Sequence, residues 1–199
     1  MAMCAPNPES CGGTGGCAGS TAELAFDYVA SVRGMYQEYQ QGYDAYFGKN
    51  SACTLPSGTP KVAITGYVKL AENNYTELMN AVATQGPIAI SVDAGWGGYE
   101  SGIYNAPLTN PDIDHAVVLV GYGEENGQKY WLVRNSWSPT WGEKGYIRIA
   151  RSDKDESNCA MDVTPQDGTA CAGDNTPVLV CGTSGILYDS AYPVGAKAF

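Results

Sequence analysis

The segment Asp114–Ile149 limits the possible folds more than any other part of the chain. It contains the protein's only histidine, His115, and two apolar runs rich in β-branched and aromatic residues, at 116–122 and 130–134. Runs of this length and composition predict buried strands. The polar, glycine-containing interval 121–130 predicts the loop that connects them.

Two antiparallel strands joined in this way bring His115 beside Asn135. His115 precedes the first run, and Asn135 follows the second. An asparagine carbonyl in that place can accept a hydrogen bond from one imidazole nitrogen and leave the other nitrogen for chemistry. A lone buried histidine is commonly a satisfied core residue, and Asn-Ser-Trp commonly forms a turn. A structural interpretation therefore stands beside the catalytic one.

Composition and charge narrow the class of protein. The 199 residues suffice for one or two domains with a sizeable core, and the net charge of −10 disfavours nucleic acid and anionic membranes as partners. No apolar run is long enough to predict a transmembrane helix. Seven cysteines predict an oxidising compartment with disulfide bonds, and their odd number leaves at least one sulfur free or paired outside the chain.

The remaining pattern predicts a mixed α and β chain. Residues 20–33 have helical spacing after Ser20 or Thr21 as N-cap, and a second helix over 76–82 follows Asn73 or Asn74. Strands are predicted over 61–70 and 88–92. The aromatic segment 35–51 predicts a surface loop whose rings pack. Three cysteines in 1–20 are too widely spaced for a tight zinc-chelating pair, and the glycines there lack the Lys-Ser/Thr of a phosphate-binding loop.

Three motifs in the central block resemble the papain-like (cathepsin-type) cysteine peptidases. Asp114-His115-Ala116 with Val120–Gly123 resembles the family's histidine strand, and Asn135-Ser136-Trp137 resembles its asparagine motif. Trp141-Gly142-Glu143 with Gly145-Tyr146 resembles the loop and strand that follow. The resemblance implies an α+β, papain-like fold. Residues 61–199 would form the antiparallel, barrel-like β-rich right domain that carries the histidine and asparagine. Residues 1–60 would be a remnant of the helical left domain, with a disulfide-stapled cleft loop.

The resemblance also implies the site. His115 and Asn135 would be catalytic in peptide-bond hydrolysis, and Trp137 would shield their hydrogen bond from water. No cofactor and no metal are implied. The backbone at Gly19 and Ser20, in a segment resembling the family's Gly-Cys-x-Gly cleft wall, would pair with an extended peptide.

On the opposite side of the cleft, the resemblance implies one apolar side-chain pocket. Ser91 and Ile113 would lie near the pocket for the second residue before the scissile bond and favour an apolar side chain there. Asp114 is expected to contact substrate as well. Asp189 can reach the floor of that pocket, but an exposed carboxylate is the preferred expectation for it.

Disulfide pairing is partly implied. By resemblance, Cys4 would bond Cys53, and Cys17 would lack its usual partner, which lies near the nucleophile in the family. Cys159–Cys181 is the first expectation for a second bond, with Cys171 left over. Sequence leaves the pairing of Cys11, Cys17 and Cys171 open.

The family's nucleophile is the missing part of the pattern. It lies in a Cys-Gly-Ser-Cys-Trp type segment roughly 130–150 residues before the histidine and asparagine, and no such segment occurs here. The opening residues Met1–Cys4 are not a secretory signal. We therefore expect an upstream part of the protein to be absent from this sequence and the chain alone to be inactive.

Two functional hypotheses follow. The chain is part of a cysteine endopeptidase, or it is a catalytically inactive papain-like domain that binds peptides or proteins. The partners implied are a peptide or protein substrate, the missing N-terminal part of its own protein, or a cystatin-like inhibitor. Cysteine content and resemblance together imply a lysosomal, vacuolar or extracellular location.

Overall fold

The computed structural model describes residues 2–32 and 34–199. Within these ranges the helices are α1 (Ala22–Ser31) and α2 (Tyr75–Thr84). The strands are β1 (Val62–Ala63), β2 (Gly66–Lys69), β3 (Ile88–Val92), β4 (Ile103–Tyr104), β5 (His115–Glu125), β6 (Gln128–Arg134), β7 (Tyr146–Ala150), β8 (Cys159–Asp162), β9 (Val178–Cys181), β10 (Asp189–Val194) and β11 (Lys197–Ala198). Short 3₁₀ turns lie at Gly16–Ala18, Asp155–Ser157, Pro165–Asp167 and Thr183–Gly185.

A seven-stranded sheet forms the centre of the fold. Its order is β2-β10-β3-β5-β6-β7-β4, and neighbouring strands are antiparallel except for the parallel pair β4 and β7. Strands β1 and β11 form a separate ladder, as do β8 and β9. Strand β5 lies in the middle of the sheet, so its first residue, His115, stands on a strand that is paired on both sides.

The β5–β6 hairpin is tighter than the sequence pattern predicted. The expected loop over 121–130 is wrong, because β5 continues to Glu125 and β6 begins at Gln128. Only Asn126 and Gly127 turn the chain, with φ of 52° and 79°. Two-residue turns of this kind need positive φ at both positions, which Asn-Gly tolerates, and their twist matches that of the flanking strands.

Both predicted helices form, and a side chain caps each of them. Thr21 Oγ1 accepts the Leu24 N–H at 3.4 Å, and Asn74 Oδ1 accepts the Glu77 N–H at 2.9 Å. Helix α2 buries its apolar face, which consists of Leu78, Ala81 and Val82, in the main core.

Two expectations for the first third of the chain are corrected. The strand predicted over 61–70 is split into β1 and β2, which belong to different sheets. The aromatic side chains of segment 35–51 do not all pack, because Tyr39, Tyr43, Tyr46 and Phe47 are exposed.

The core lies on one continuous set of strands. Alternate residues of β3, β5, β6 and β7 are fully buried there, namely Ile88, Ile90, Leu119, Trp131, Val133, Ile147 and Ile149. This period-two burial follows from successive side chains of a strand pointing to opposite faces. Within residues 2–32 and 34–199, neither α-helix has the length and apolar character needed to cross a membrane.

Three disulfide bonds staple the fold. They join Cys4 to Cys53 and Cys159 to Cys181, which are the expected pairs, and Cys11 to Cys171. Cys171 is therefore not left over. Cys17 is the free cysteine, and it is exposed.

Candidate functional site

The hairpin brings the two motif residues into direct contact. His115 pairs with Val92 at the end of β3, and Asn135 follows the last residue of β6. His115 Nε2 lies 2.8 Å from Asn135 Oδ1. The Asn135 N–H donates to the Gly145 carbonyl at 2.9 Å, which ties the residue to the start of β7. The contact therefore rests on three strands of the sheet.

The local backbone fixes which atom of Asn135 faces the histidine. The Ser136 N–H also contacts Asn135 Oδ1, at 2.7 Å. A backbone N–H can only donate, so the shared atom is the carbonyl oxygen and His115 Nε2 is the donor. The imidazole is thereby held with its proton on Nε2, and Nδ1 carries the lone pair.

Three tryptophan rings surround this pair. Trp137 lies 5.1 Å from the His115 ring at an interplanar angle of 30°, and Trp96 lies 6.0 Å from it. Trp141 packs against Trp137 at 5.1 Å. Trp96 is fully buried, and its Nε1 donates to Ser184 Oγ at 3.1 Å. Sequence reasoning missed Trp96, and the only signal for it was an aromatic residue in the glycine-rich loop after β3.

A cavity of about 880 Å³ opens beside His115. Residues 12–13 and 16–20 form one wall, and Ser91, Asp114, Ala116 and Ser136 form the other. Cys17 lines this cavity as well, in a turn where its N–H donates to Asn50 Oδ1 at 2.7 Å. The space is an open groove between two walls, a shape that suits an extended chain.

The structure brings most of the predicted contact residues to this cavity. Gly19, Ser20, Ser91 and Asp114 all line it. Ile113 does not, because it is fully buried and packs with Val180, Tyr188 and Leu108. Trp137 is about two-fifths exposed and contacts the site through the face of His115.

Asp189 is buried, which corrects the expectation of an exposed carboxylate. It is 4 % exposed, accepts a hydrogen bond from Ser91 Oγ at 2.6 Å and lies 2.9 Å from Lys69 Nζ. Lys69 also approaches Glu23 of α1, at 3.4 Å. Burial, followed by the Asp189 charge, raises the pKa of the Glu23 carboxyl. Although burial opposes it, the two carboxylates raise the pKa of Lys69.

Sequence reasoning also missed the segment between β8 and β9, residues 163–177, which we call the strap. Its residues Gln166, Asp167 and Gly168 line the cavity. At its base the buried Asp162 accepts the N–H groups of Ile113 at 3.1 Å and of Thr164 at 2.8 Å. The extra cysteine in this segment, Cys171, was the available sequence signal. The sequence did not indicate which cysteine it bonds to.

Among the described residues, one group of potential metal ligands lies close together. Glu9, Cys11 and Cys171 are close enough together to hold an ion. The two sulfurs are bonded to each other, so they cannot act as thiolate ligands.

Comparisons with known proteins agree with this geometry. The family model "Papain family cysteine protease" matches residues 3–166. "Digestive cysteine proteinase 2" of Homarus americanus is 37% identical over 153 residues, which cover 75% of this chain and 46% of that protein. "Cathepsin L-like" of Caenorhabditis elegans is 41% identical over 146 residues, which cover 70% and 42%. The chain thus spans less than half the length of these relatives.

A solved structure with the same fold is the bromelain protease from Ananas comosus in complex with the E64 inhibitor. It superposes with a TM-score of 0.71 and 33% sequence identity over 90% of this chain and 71% of that one. Because the family model matches most of the chain, and the solved structure shares both fold and sequence, the chain belongs to the papain family of cysteine proteases.

Proposed function

We propose that this chain carries the acid–base part of a peptide-cleaving site, with His115 and Asn135 as catalytic residues. The 2.8 Å contact between His115 Nε2 and Asn135 Oδ1, at the edge of a two-walled cavity, is the observation that supports the proposal. With Nε2 engaged, Nδ1 is the nitrogen that exchanges a proton with a thiol and with the leaving amine.

The reaction then follows in two steps. A cysteine thiolate attacks the peptide carbonyl while His115, as imidazolium, protonates the departing amine from Nδ1. The neutral imidazole then takes a proton from water, and the resulting hydroxide cleaves the thioester, which releases the carboxyl product and regenerates the thiolate and the imidazolium. Asn135 keeps the imidazole oriented in both steps, and Trp137 limits water access to their hydrogen bond.

We assign the attacking thiolate to a segment outside the 199 residues of this sequence. Six of the seven cysteines are in disulfides. The seventh, Cys17, lies in the exposed 3₁₀ turn Gly16–Ala18 and not at the start of an α-helix, where a thiolate would be stabilised. On this assignment the 199-residue chain is inactive by itself. Residues 1–60 belong to the left side of the cleft, and residues 61–199 form the right domain.

The alternative function is peptide or protein binding without catalysis. The same observation favours it, because six cysteines are in disulfides and Cys17 lies in an exposed turn. The two walls of this cavity could bind an extended peptide without a nucleophile. The proposed ligands are a peptide or protein substrate, the N-terminal part of the same protein or a cystatin-like inhibitor. The three disulfides favour a lysosomal, vacuolar or extracellular location.

Labelling with a thiol-directed epoxide inhibitor, followed by intact mass measurement, tests the proposal. Protein from its natural source is expected to be labelled on a species heavier than 21.0 kDa. The recombinant 199-residue chain is expected to stay unlabelled. Labelling of that chain that is lost in Cys17→Ser would identify Cys17 as the thiol. A natural species of 21.0 kDa that folds and stays unlabelled would leave the binding function in place of the peptidase.

A further inference from the structure

We propose that the cavity beside His115 selects a peptide with a small or polar side chain, because small and polar residues line it and the strap closes it at one end. This inference rests on the proposed peptide-binding function and names its substrate class. It differs from the apolar preference that the sequence implied through Ile113.

The residues that line the cavity are small or polar. Within residues 2–32 and 34–199, every lining residue is glycine, alanine, serine, cysteine, histidine, aspartate or glutamine. Apart from the His115 imidazole, none of them is a larger aliphatic, an aromatic or a cationic residue. A bulky apolar side chain placed there would remove little apolar surface from water and would desolvate polar groups on both walls, which disfavours its binding.

The one apolar residue expected in this pocket, Ile113, does not line the cavity. Ile113 is fully buried, and its side chain packs with Val180, Tyr188 and Leu108. Gly168 of the strap lies so close to the Ile113 carbonyl that a Cβ at this glycine would overlap it. A Cβ at Gly12 of the opposite wall would also overlap the Gly168 carbonyl. The strap therefore fills the space between the two walls at this end of the groove.

Three bonds hold the strap in that position. The Gly12 N–H donates to the Ala170 carbonyl at 3.0 Å, and the Ala172 N–H donates to the Glu9 carbonyl at 3.0 Å. Between them the Cys11–Cys171 disulfide joins the two segments covalently. The strap is thus joined to the wall formed by residues 9–12 by both hydrogen bonds and a covalent bond.

Polar groups of the strap replace the apolar pocket wall. Gln166 and Asp167 line the cavity together with Asp114 and Ser20. These side chains can exchange hydrogen bonds with a serine or asparagine of the bound peptide. A leucine or phenylalanine would leave them without partners, and an unmatched buried polar group typically weakens binding by roughly tenfold or more.

The test uses the ¹⁵N-labelled 199-residue chain and four blocked peptides, acetyl-Gly-Xaa-Ala-Gly-amide, in which Xaa is serine, asparagine, leucine or phenylalanine. Titrations are followed through the amide signals of Gly19, His115 and Gly168. We expect the serine and asparagine peptides to bind roughly tenfold more tightly than the other two. Tighter binding of the leucine or phenylalanine peptide would overturn the inference and leave peptide binding intact. If no peptide shifts these signals, the peptide-binding function of the 199-residue chain fails, and the inference falls with it.

Two variants test the strap itself. The double variant Cys11→Ser/Cys171→Ser releases the tether, and Gly168→Ala forces the strap away from Ile113. Both should bind the leucine peptide more tightly than the wild type and lose most of the tenfold preference. The double variant Cys4→Ser/Cys53→Ser is the matched control, because it loses a disulfide away from the strap and should keep the preference. The amide chemical shifts of β5 and β6 show whether each variant is folded. If the chain does not fold without the strap disulfide, Gly168→Ala alone provides the test. An unchanged preference in a folded strap variant would refute the inference.

Discussion

His115 is oriented by a single side-chain oxygen that also binds the next backbone N–H. Asn135 Oδ1 receives both His115 Nε2 and the Ser136 N–H, so one amide orients the ring and closes its own turn. The position of the lone pair on Nδ1 therefore depends on Asn135.

Asn135→Ala should remove the oxygen that orients the His115 ring. We expect the free energy of unfolding to fall by about 1–2 kcal/mol, since two donors lose their acceptor. We also expect the imidazole to populate both neutral tautomers, measured by ¹⁵N chemical shifts of His115 at alkaline pH. Ser136→Ala keeps the backbone donor and serves as the control. A pure Nε2–H tautomer in Asn135→Ala would contradict this role.

Glu23 should make stability depend on pH. Burial and the nearby Asp189 raise its pKa above the ordinary 4.5 in the folded protein. The folded state then retains a proton that the unfolded state releases, so the contribution of Glu23 to stability falls as pH rises from 4.5 toward its folded pKa.

Glu23→Gln does not titrate, so its stability relative to wild type should increase across that pH range. Urea unfolding at a series of pH values measures the difference. Glu100→Gln, at an exposed position, should show no such trend. The prediction fails if the Glu23→Gln difference is flat or falls with pH.

At this scale, sequence located the His115–Asn135 pair and most of the cavity lining, but not the burial of Ile113 and Asp189. His115 and Asn135 stand in motifs that are local in the chain. Ile113 packs with Val180 and Tyr188, and Asp189 pairs with Lys69, and these partners are far away in sequence. No local pattern encodes those contacts.

Among the elements, the β5–β6 hairpin shows why strand ends are harder to predict than strands. Its apolar runs are recognisable, but polar residues 123–125 and 128–129 extend both strands because their backbones stay paired up to the Asn-Gly turn. The Asn126-Gly127 dipeptide was the available signal for a two-residue turn.

The cap of α2 is open to a direct test. Asn74→Ala removes the acceptor of the Glu77 N–H, and we expect a loss of about 1 kcal/mol in the free energy of unfolding. Asn74→Asp keeps an acceptor and should lose much less. Chemical denaturation measures both, and equal losses would show that the side-chain cap is not the cause.

The strap could not be derived as an element. It contains only a single 3₁₀ turn, Pro165–Asp167, and it is positioned by a bond to a cysteine 160 residues earlier in the chain. Seven cysteines allow many pairings, so sequence alone could not select this one.

For the whole molecule, the three disulfides should differ in how much they stabilise the fold. Their partners are separated by 160, 49 and 22 residues for Cys11–Cys171, Cys4–Cys53 and Cys159–Cys181. The chain-entropy model assigns about 5, 4 and 3 kcal/mol to loops of these sizes.

Pairwise Cys→Ser variants should therefore rank in that order of destabilisation, with the Cys11/Cys171 variant least stable. Guanidinium unfolding without reductant gives the ranking. A reversed order would mean that native-state contacts around each bond, and not loop closure, dominate.

The overall class of the fold was accessible from sequence because the family motifs fall in consecutive strands of the central sheet. The strand order of that sheet could not be predicted from sequence, since β2 and β10 pair across more than a hundred residues. Their contact is a property of the folded chain.

The Cys11–Cys171 bond also makes residues 11–171 a closed covalent ring. The exposed tyrosine-rich segment 36–47 lies inside that ring. If a protease cuts the chain there, the ring opens but both pieces remain attached. A nicked molecule therefore runs as a single species in a gel without reductant and separates into fragments only after reduction.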